Sequence, residues 1–329
     1  MMRKIDAHAH WAGDTPEAFE LLRELDIKIL NIGMGRSNGG KQGGHGELYG
    51  GLARKYPEFY AWCTGIDEPD FDDPDGYVKR TIQLLEKDFD NGAIACKVAK
   101  NFGMSIKDKS GSYFMVDNRL LEPIFSFIER QGKPLIMHIG EPMEAFQPLD
   151  KNGAFYNYYK GHPNYHFYGK EGTPTHKQLM DSRDHVFERH PNLTVVGAHY
   201  GCMEYDVDEV AKRLEKYPNF VVDSSGLARV ESLSKQDRQK VYDFLVEYQD
   251  RIMFGTDRSA GRKGLSALSA SEQKQTLNVY RENVLIGVES YQSHKKLMVR
   301  GKEIQGFGLP EDVMEKILYR NAEKWFPGL

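Results

Sequence analysis

The sequence has few cysteines, no long apolar run and no strong charge of either sign. Its three cysteines among 329 residues show no Cys-x-x-Cys spacing and cannot all pair, which favours reduced thiols in a cytoplasmic protein. No apolar stretch is long enough to span a membrane, and the first apolar run begins within a few residues of Met1, so we expect no membrane partner and no signal peptide. The net charge of −4 argues against a polyanion-binding surface, and we expect no nucleic-acid partner.

Short apolar runs alternate regularly with longer segments of helical periodicity. The apolar runs predict strands over Lys4–Ala9, Ile27–Ile32, Tyr60–Gly65, Ala93–Val98, Pro134–Ile139, Thr194–Ala198, Phe220–Asp223 and Arg251–Gly255. The segments between them predict helices over Pro16–Leu25, Glu47–Tyr56, Asp75–Phe89, Asn118–Gln131, His176–His190, Val207–Tyr217, Lys235–Tyr248 and Pro310–Trp325. Repeated β-then-α units with apolar strands are typical of a parallel barrel surrounded by helices. We therefore predict an α/β protein, a (β/α)8 TIM barrel, as one domain over residues 1–329.

Three of the predicted connections are long, and all three leave the carboxyl ends of strands. Residues 33–46 are rich in glycine and predict a mobile lid, while residues 258–309 include a helical stretch near Glu272–Val284. Residues 140–173 are dense in tyrosine and histidine, which either wall a pocket or pack on one another. Barrel enzymes place their chemistry on this face, so we expect the loops after strands 2, 5 and 8 to shape a pocket for a small molecule.

Side chains able to bind a metal recur where the predicted strands end. The first strand runs into Asp-Ala-His-Ala-His, and residues two apart in a strand share a face, so that His8 and His10 can face one ion. His138, His199 and Asp257 end strands 5, 6 and 8. As isolated buried groups each would need its own hydrogen-bond partner, which makes packing alone a poor explanation of the set. Imidazole and carboxylate suit zinc or a similar first-row ion.

These motifs resemble the amidohydrolase superfamily. The resemblance is closest to its amidohydrolase-2 branch, which holds hydrolases and non-oxidative decarboxylases of aromatic acids. It covers essentially the whole predicted barrel. The segments that carry it are Asp-Ala-His-Ala-His at 6–10, the strand-5 His138, Ala-His-Tyr-Gly at 198–201, Phe-Gly-Thr-Asp at 254–257, Arg-His-Pro-Asn-Leu at 189–193 and Asn-Ala at 321–322.

The resemblance implies one divalent metal ion, most often zinc, held by His8, His10, His138 and Asp257. His199 would lie beside the metal and either bind it or polarise the substrate carbonyl. The implied activity is hydrolysis of an ester, lactone or amide bond of a small polar substrate by metal-activated water, with Asp257 moving the proton. The alternative is a non-oxidative, metal-dependent decarboxylase of an aromatic or unsaturated carboxylic acid. A barrel without catalysis, whose long loops bind a protein partner, is a third interpretation.

Lys97 ends the fourth predicted strand and leaves three interpretations open. Binuclear members of the superfamily carry a carbamylated lysine there, so a modified Lys97 would bridge to a second metal ion. An unmodified Lys97 would take part in catalysis by binding a substrate carboxylate. The third interpretation is a structural ion pair.

Two carboxylates are weaker candidates for the substrate pocket. Glu141 lies three residues after His138 and either faces the pocket or is solvated. Asp223 ends strand 7, where it either orients a ligand histidine through a hydrogen bond or caps the following turn. Arg183, on a helix, is predicted to be structural. A homodimer is a reasonable expectation for a soluble enzyme.

Overall fold

The computed structural model describes residues 2–33, 45–261 and 263–329. Eight parallel strands neighbour one another in sequence order, which confirms the predicted TIM barrel. They are β1 (Lys4–Ala9), β2 (Ile27–Ile32), β3 (Tyr60–Gly65), β4 (Ala93–Val98), β5 (Leu135–Met137), β6 (Val195–Gly197), β7 (Phe220–Asp223) and β8 (Ile252–Met253). Strands β1 to β4 and β7 have the predicted bounds, whereas β5, β6 and β8 are shorter at both ends.

Backbone hydrogen bonds join β1 to the segment that follows β8. Asp257 N donates to His8 O at 2.7 Å, and His10 N donates to Arg258 O at 2.7 Å. These bonds close the barrel at its carboxyl end. They also fix the backbone that carries three of the predicted ligands.

Helices with one apolar face surround the barrel. They span Pro16–Leu25, His45–Lys55, Pro74–Asp90, Glu122–Arg130, His176–Arg189, Val207–Lys216, Arg238–Glu247 and Ala270–Gln292. The first begins after Thr15, whose side chain accepts a hydrogen bond from Ala18 N, and Pro16 follows at the first helical turn. Its buried residues, Leu21, Leu22 and Leu25 among them, lie on one face at helical spacing, and this burial holds the helix against the barrel.

The last segment of the chain covers the amino-terminal end of the barrel. It consists of the helix Glu311–Glu315, the π-helical turn Lys316–Arg320 and the helix Asn321–Trp325. Asn321 Nδ2 donates to Ile252 O at the start of β8 at 2.7 Å. The predicted metal ligands lie at the opposite end of the barrel, where the strands have their carboxyl ends.

The connections after β5 and β8 have structure of their own, whereas most of the glycine-rich stretch predicted as a lid lies outside the described residues. Short helical turns occur at Asn101–Met104, Arg119–Leu121, Met143–Phe146, Tyr156–Gly161, Pro163–Tyr165, Leu227–Leu233 and Leu265–Ala267. The antiparallel strands β9 (Lys296–Val299) and β10 (Lys302–Gln305) form a hairpin that the sequence did not predict. None of the described helices combines the length and apolar character that crossing a membrane requires.

Candidate metal centre

Three imidazoles surround the carboxylate of Asp257 at the carboxyl end of the barrel. His8 Nε2 lies 3.8 Å and His10 Nε2 3.7 Å from Asp257 Oδ1, and His199 Nε2 lies 3.8 Å from Asp257 Oδ2. These separations are too long for hydrogen bonds but close to the roughly 3 to 3.5 Å between tetrahedral ligands of one zinc ion. Among the described residues, two sets of ligand atoms lie within 4.8 Å of one another: His8, His10 and Asp257, and His8, His199 and Asp223.

Strand β1 carries His8, and His10 follows the strand in an isolated bridge to Ser259. The pairing of β1 with β2 shifts register between Asp6 and Ala9, and His8 and His10, two residues apart, both face Asp257 as predicted. A bulge of this kind re-aims side chains and is common next to active sites. The rings of His8 and His10 lie 5.7 Å apart at 75° to each other.

Asp223 and Ser225 determine which ring nitrogen of two histidines is protonated. His8 Nδ1 lies 2.8 Å from Asp223 Oδ2, and an ionised carboxylate only accepts, so Nδ1 donates and the Nε2 lone pair faces the centre. Ser225 Oγ donates to Asp223 Oδ1, so it accepts from His199 Nδ1 at 2.7 Å. His199 then also presents an unprotonated Nε2. Both imidazoles thus have the tautomer that a metal ion requires.

The buried Asp223 carboxylate is fully occupied by these contacts. Asp223 Oδ1 also accepts hydrogen bonds from the backbone nitrogens of His199 at 2.9 Å and Ser225 at 3.1 Å. Burial alone would raise the pKa of Asp223, but His8 and the hydrogen bonds from Ser225 and the His199 backbone hold this pKa below its ordinary value. Asp223 therefore makes a hydrogen bond that orients His8, one of the two roles suggested by the sequence. A direct contact of Asp223 with substrate stays a prediction.

His138 lies beside His199, with the two ring centroids 4.6 Å apart at 83°. Burial, reinforced by nearby cations such as Lys97 and Arg229, lowers the pKa of both imidazoles well below the ordinary value, so both are neutral at pH 7. Within the described part of the chain, the Nε2 atoms of His138 and His199 are buried without a hydrogen-bond partner. A buried nitrogen lone pair without a partner fits a metal ligand. His138 is outside both compact sets of ligand atoms, and its predicted ligation stays a prediction.

The backbone around His199 is held in a conformation that side chains rarely adopt. His199 and the three residues after it have φ between 55° and 64°, and Asp257 has φ 53°. Such backbone costs on the order of 1–3 kcal/mol per residue and persists where neighbouring groups fix it. Arg183 Nη1 donates to Gly201 O at 2.7 Å and contributes to this support, in keeping with its predicted structural role.

Lys97 ends β4 with its ammonium group inside the centre. Its Nζ lies 3.2 Å from His8 Nε2, the nitrogen that the Asp223 contact leaves as an acceptor. Burial lowers the pKa of Lys97, while the charges of Asp257 and Asp223 oppose this shift. The Nε2 lone pair of His8 serves either Lys97 or a metal ion, but not both at once. All three interpretations of Lys97 stay open.

Glu141 is buried in an ion pair with Lys100, a residue that the sequence did not mark as part of the site. Tyr159 also donates to Glu141, at 3.2 Å, and Lys100 donates to Tyr158 Oη at 2.8 Å and lies over the ring of Tyr165. The tyrosine-rich loop therefore packs on itself and also surrounds a buried charge pair. The predicted contact of Glu141 with substrate is untested by this arrangement.

Asp6 is a further residue of the centre that sequence reasoning missed. Its carboxylate accepts hydrogen bonds from Thr256 N at 2.9 Å, Thr256 Oγ1 at 2.6 Å and Tyr280 Oη at 3.0 Å. Burial raises the pKa of Asp6 to about 6 despite these bonds. Asp6 thus ties the strand of the two histidines to the residue before Asp257. Its place in the Asp-Ala-His-Ala-His motif was the available signal.

A cavity of about 360 Å³ adjoins Asp257, whose side chain is 34% exposed. Its lining residues are Trp11, Asp257, Arg258, Ser259, Gln275, Thr276, Val279 and Tyr280. The cavity has space for a small molecule of mixed polar and apolar character beside the carboxylate.

Comparison with known proteins connects this barrel to one family. A family model described as amidohydrolase matches residues 5–328, whereas no curated protein matches the chain. An uncharacterized TIM-barrel protein from Bordetella bronchiseptica has 18% identity, 99% coverage of both chains and a TM-score of 0.59. A 2,6-dihydroxybenzoate decarboxylase has 16% identity, 99% coverage of both chains and a TM-score of 0.52. A putative amidohydrolase from Staphylococcus aureus has 14% identity, 100% coverage of both chains and a TM-score of 0.52.

At these identities the solved structures show a shared fold. The family model covers nearly the whole chain, including β1 and the residues that follow β8. The chain therefore belongs to the amidohydrolase-2 family.

Proposed function

We propose that the protein is a metal-dependent hydrolase that cleaves an ester, lactone or amide bond of a small polar substrate. The observation that carries this proposal is the convergence of His8, His10 and His199 on the Asp257 carboxylate. Asp257 also lines a neighbouring cavity of about 360 Å³. The unprotonated Nε2 atoms of His8 and His199 support a metal at this place.

The residues fit a single divalent ion, and we propose zinc. His8, His10 and Asp257 would hold it, with His199 or His138 as the further ligand. When bound, such an ion supplies Lewis acidity and lowers the pKa of a coordinated water to about 7. The tautomer imposed on His199 by Ser225 favours ligation over donation to the substrate carbonyl.

Asp257 is the group that we propose to move the proton. Burial alone would raise its pKa, but the adjacent imidazoles of His8 and His10 and the cations Arg229 and Lys97 hold the pKa of Asp257 below the ordinary value. The carboxylate is therefore ionised at neutral pH and accepts a proton from the attacking water. Its partial exposure toward the cavity lets it return that proton to the leaving group.

Turnover of a panel of esters, lactones and amides by the zinc-loaded chain tests this proposal. Asp257→Asn and His138→Ala are expected to lower kcat/KM by at least 10³-fold while circular dichroism shows an intact fold. Asp250→Asn, which changes an exposed carboxylate, is the matched control. Full turnover by protein stripped of metal would refute the proposal.

A non-oxidative decarboxylase is the second candidate, and one observation favours it. The buried ammonium of Lys97 reaches the centre at His8 Nε2, where it could hold a substrate carboxylate beside the metal ligands. Release of CO₂ from hydroxybenzoates by the metal-loaded chain, with no hydrolysis of esters, would support this candidate over the first. Hydrolysis without CO₂ release would exclude it.

A further inference from the structure

The β9–β10 hairpin reaches the connection after β5 through two cations at its tip, Arg300 and Lys302. Arg300 Nη1 donates to Ala154 O at 2.7 Å, and Lys302 Nζ donates to Asn152 O at 2.7 Å. Both side chains also donate to Glu231, Arg300 to Oε2 at 3.0 Å and Lys302 to Oε1 at 2.6 Å. The carboxylate of Glu231 and the hairpin tip thus join three parts of the chain that are distant in sequence.

Glu231 is buried in the short helix Leu227–Leu233 that follows β7, and its side chain is 4% exposed. A carboxylate removed from water is costly unless cations and hydrogen bonds compensate it. Arg300 and Lys302 supply that compensation, and Lys235 Nζ lies 3.9 Å from Glu231 Oε1. Because the loss of either hairpin cation would leave a buried charge with one partner fewer, the hairpin tip and this helix hold each other in place.

The hairpin is a firm support for these contacts. Its turn has Arg300 at φ 51° and Gly301 at φ 82°, and positive φ at both central residues is what the type I′ turn of a two-residue hairpin requires. At its base, Arg238 donates to Phe307 O at 2.8 Å, and Phe307 N donates to Ser290 O at 2.9 Å. These bonds fix the hairpin to two of the outer helices.

The segment that the hairpin tip contacts, residues 152–159, lies next to the metal centre on one side. Its Phe155 ring covers the guanidinium of Arg229, with Arg229 Cζ 5.0 Å from the ring centroid. The point where a Cβ on Gly226 would stand is 3.4 Å from Arg229 Nη1 and 4.0 Å from Asp257 Cβ. Two side chains, Phe155 and Arg229, therefore connect this segment to Asp257.

The same segment is attached to the connection that begins at the end of β5. Glu144 accepts hydrogen bonds from the backbone nitrogens of Ala154 at 3.1 Å and Phe155 at 3.0 Å. Tyr159 Oη donates at 3.2 Å to Glu141, which lies three residues after His138. The segment therefore contacts the connections after β5 and β7, the two neighbours of β6 in the barrel.

We propose that Glu231 is a positioning residue for substrate binding, which with the hairpin tip holds residues 152–159 against the substrate pocket. Glu231 acts through this segment and does not touch the reacting atoms. A segment that is already fixed loses little conformational freedom when substrate binds, whereas a loosened one must be ordered at a cost in binding free energy. Loosening should therefore raise KM more than it lowers kcat. This inference rests on the proposed function, because that function places a substrate beside Asp257.

Arg300→Asn tests the proposal, because asparagine tolerates positive φ and the change removes both hydrogen bonds of this exposed side chain. On the zinc-loaded full chain we would measure amide hydrogen exchange of residues 152–159, kcat and KM for the best ester of the panel, and the calorimetric Kd of benzohydroxamate, a zinc-binding probe. We expect exchange at least fivefold faster, KM and Kd at least threefold higher, and kcat within about twofold of the wild type.

Three further variants separate positioning from a general loss of structure. Glu231→Gln should change exchange, KM and Kd in the same direction as Arg300→Asn. Arg300→Lys, which keeps the cation, should recover most of the wild-type values. Lys296→Gln breaks an exposed ion pair with Glu303 on the same hairpin and is the matched control, which should behave as the wild type does.

Four results would overturn the assignment: wild-type exchange in both Arg300→Asn and Glu231→Gln, faster exchange with unchanged KM and Kd, equal changes in Lys296→Gln, or a wild-type chain that neither hydrolyses the panel nor binds the probe. Binding and turnover also separate this inference from the function on which it rests. Weaker binding of benzohydroxamate by Arg300→Asn, in a chain that hydrolyses nothing, would refute the hydrolase and leave the positioning role. Ester hydrolysis with wild-type KM and Kd in Arg300→Asn would refute the positioning role alone.

Discussion

His8 Nδ1 donates to Asp223 Oδ2 across 2.8 Å, in a contact that is shielded from solvent on both sides. This bond fixes the ring plane of His8 and leaves its Nε2 free of a proton. Asp223 has the same effect on His199 through Ser225. Asp223, at the end of β7, thus fixes the tautomers of His8 from β1 and of His199 after β6.

Replacing Asp223 with Asn should weaken metal binding. The amide cannot accept from His8, His199 and Ser225 at the same time, so His8 loses its fixed tautomer. We expect zinc affinity to fall about 10- to 100-fold, measured by competition with a chelator of known affinity. Asp250→Asn on the surface controls for the loss of charge. Unchanged zinc affinity in Asp223→Asn would show that the contact does not orient a ligand.

Replacing Thr256 with Val should destabilise the barrel where β1 and β8 meet. The change removes the donor at 2.6 Å from Asp6 Oδ2 and leaves that buried oxygen with Tyr280 Oη alone. Loss of a buried hydrogen bond to a charged group costs about 1.5–3 kcal/mol in free energy of unfolding, which urea titration measures. The half-buried Thr276 on the outer helix is the matched position, and Thr276→Val should change stability by less than about 0.5 kcal/mol. Equal losses in the two variants would contradict the account of Asp6.

Lys97→Met separates the three interpretations of that lysine by metal stoichiometry and thermal stability together. If Lys97 is an unmodified amine that binds a substrate carboxylate, the variant binds the same number of ions as the wild type without a loss of thermal stability. Its zinc affinity is then equal or higher, because His8 Nε2 is no longer shared. If Lys97 is a bridging carbamate, the wild type binds two ions in bicarbonate buffer and the variant one. A structural ion pair predicts unchanged stoichiometry with a loss of thermal stability. Metal analysis and thermal unfolding of both proteins distinguish these cases.

His176 should make the fold sensitive to acid. Burial lowers the pKa of this imidazole to about 4 from an ordinary value of 6.5, and Nε2 donates to Cys202 O at 2.9 Å. The unfolded chain therefore binds a proton that the folded chain excludes, so stability is complete above pH 6.5 and falls as the pH drops toward 4. Between pH 7.5 and pH 5, the protonation of His176 in the unfolded chain lowers the free energy of unfolding by about 2 kcal/mol. His176→Gln should lose correspondingly less stability than the wild type over that interval, and an identical loss would contradict the assignment.

The bounds of the strands could be predicted where the apolar run and the hydrogen-bonded ladder have the same length, as in β1 to β4 and β7. The runs that became β5, β6 and β8 continue past the hydrogen-bonded ladder, because the chain turns toward the centre while its side chains stay buried. Positive φ at His199 and Asp257 marks two of these turns. A positive φ in a residue other than glycine cannot be predicted from a sequence pattern. The β9–β10 hairpin was missed because its strands are largely exposed and lack apolar alternation.

The histidines and Asp257 could be predicted because they end apolar strands in a topology that brings strand ends together. Asp6 and Thr256 could not be paired from sequence, since 250 positions separate them and their bond depends on closure of the barrel.

The metal content of the purified chain tests the central claim most directly. Elemental analysis after dialysis against micromolar zinc should find one ion per wild-type chain, and none in His8→Ala or Asp257→Asn with the circular dichroism of the wild type. Two ions in the wild type would instead support a carbamylated Lys97 that bridges two metal ions. A wild-type chain that binds no divalent ion, or a His8→Ala variant that binds it equally well, would contradict the account.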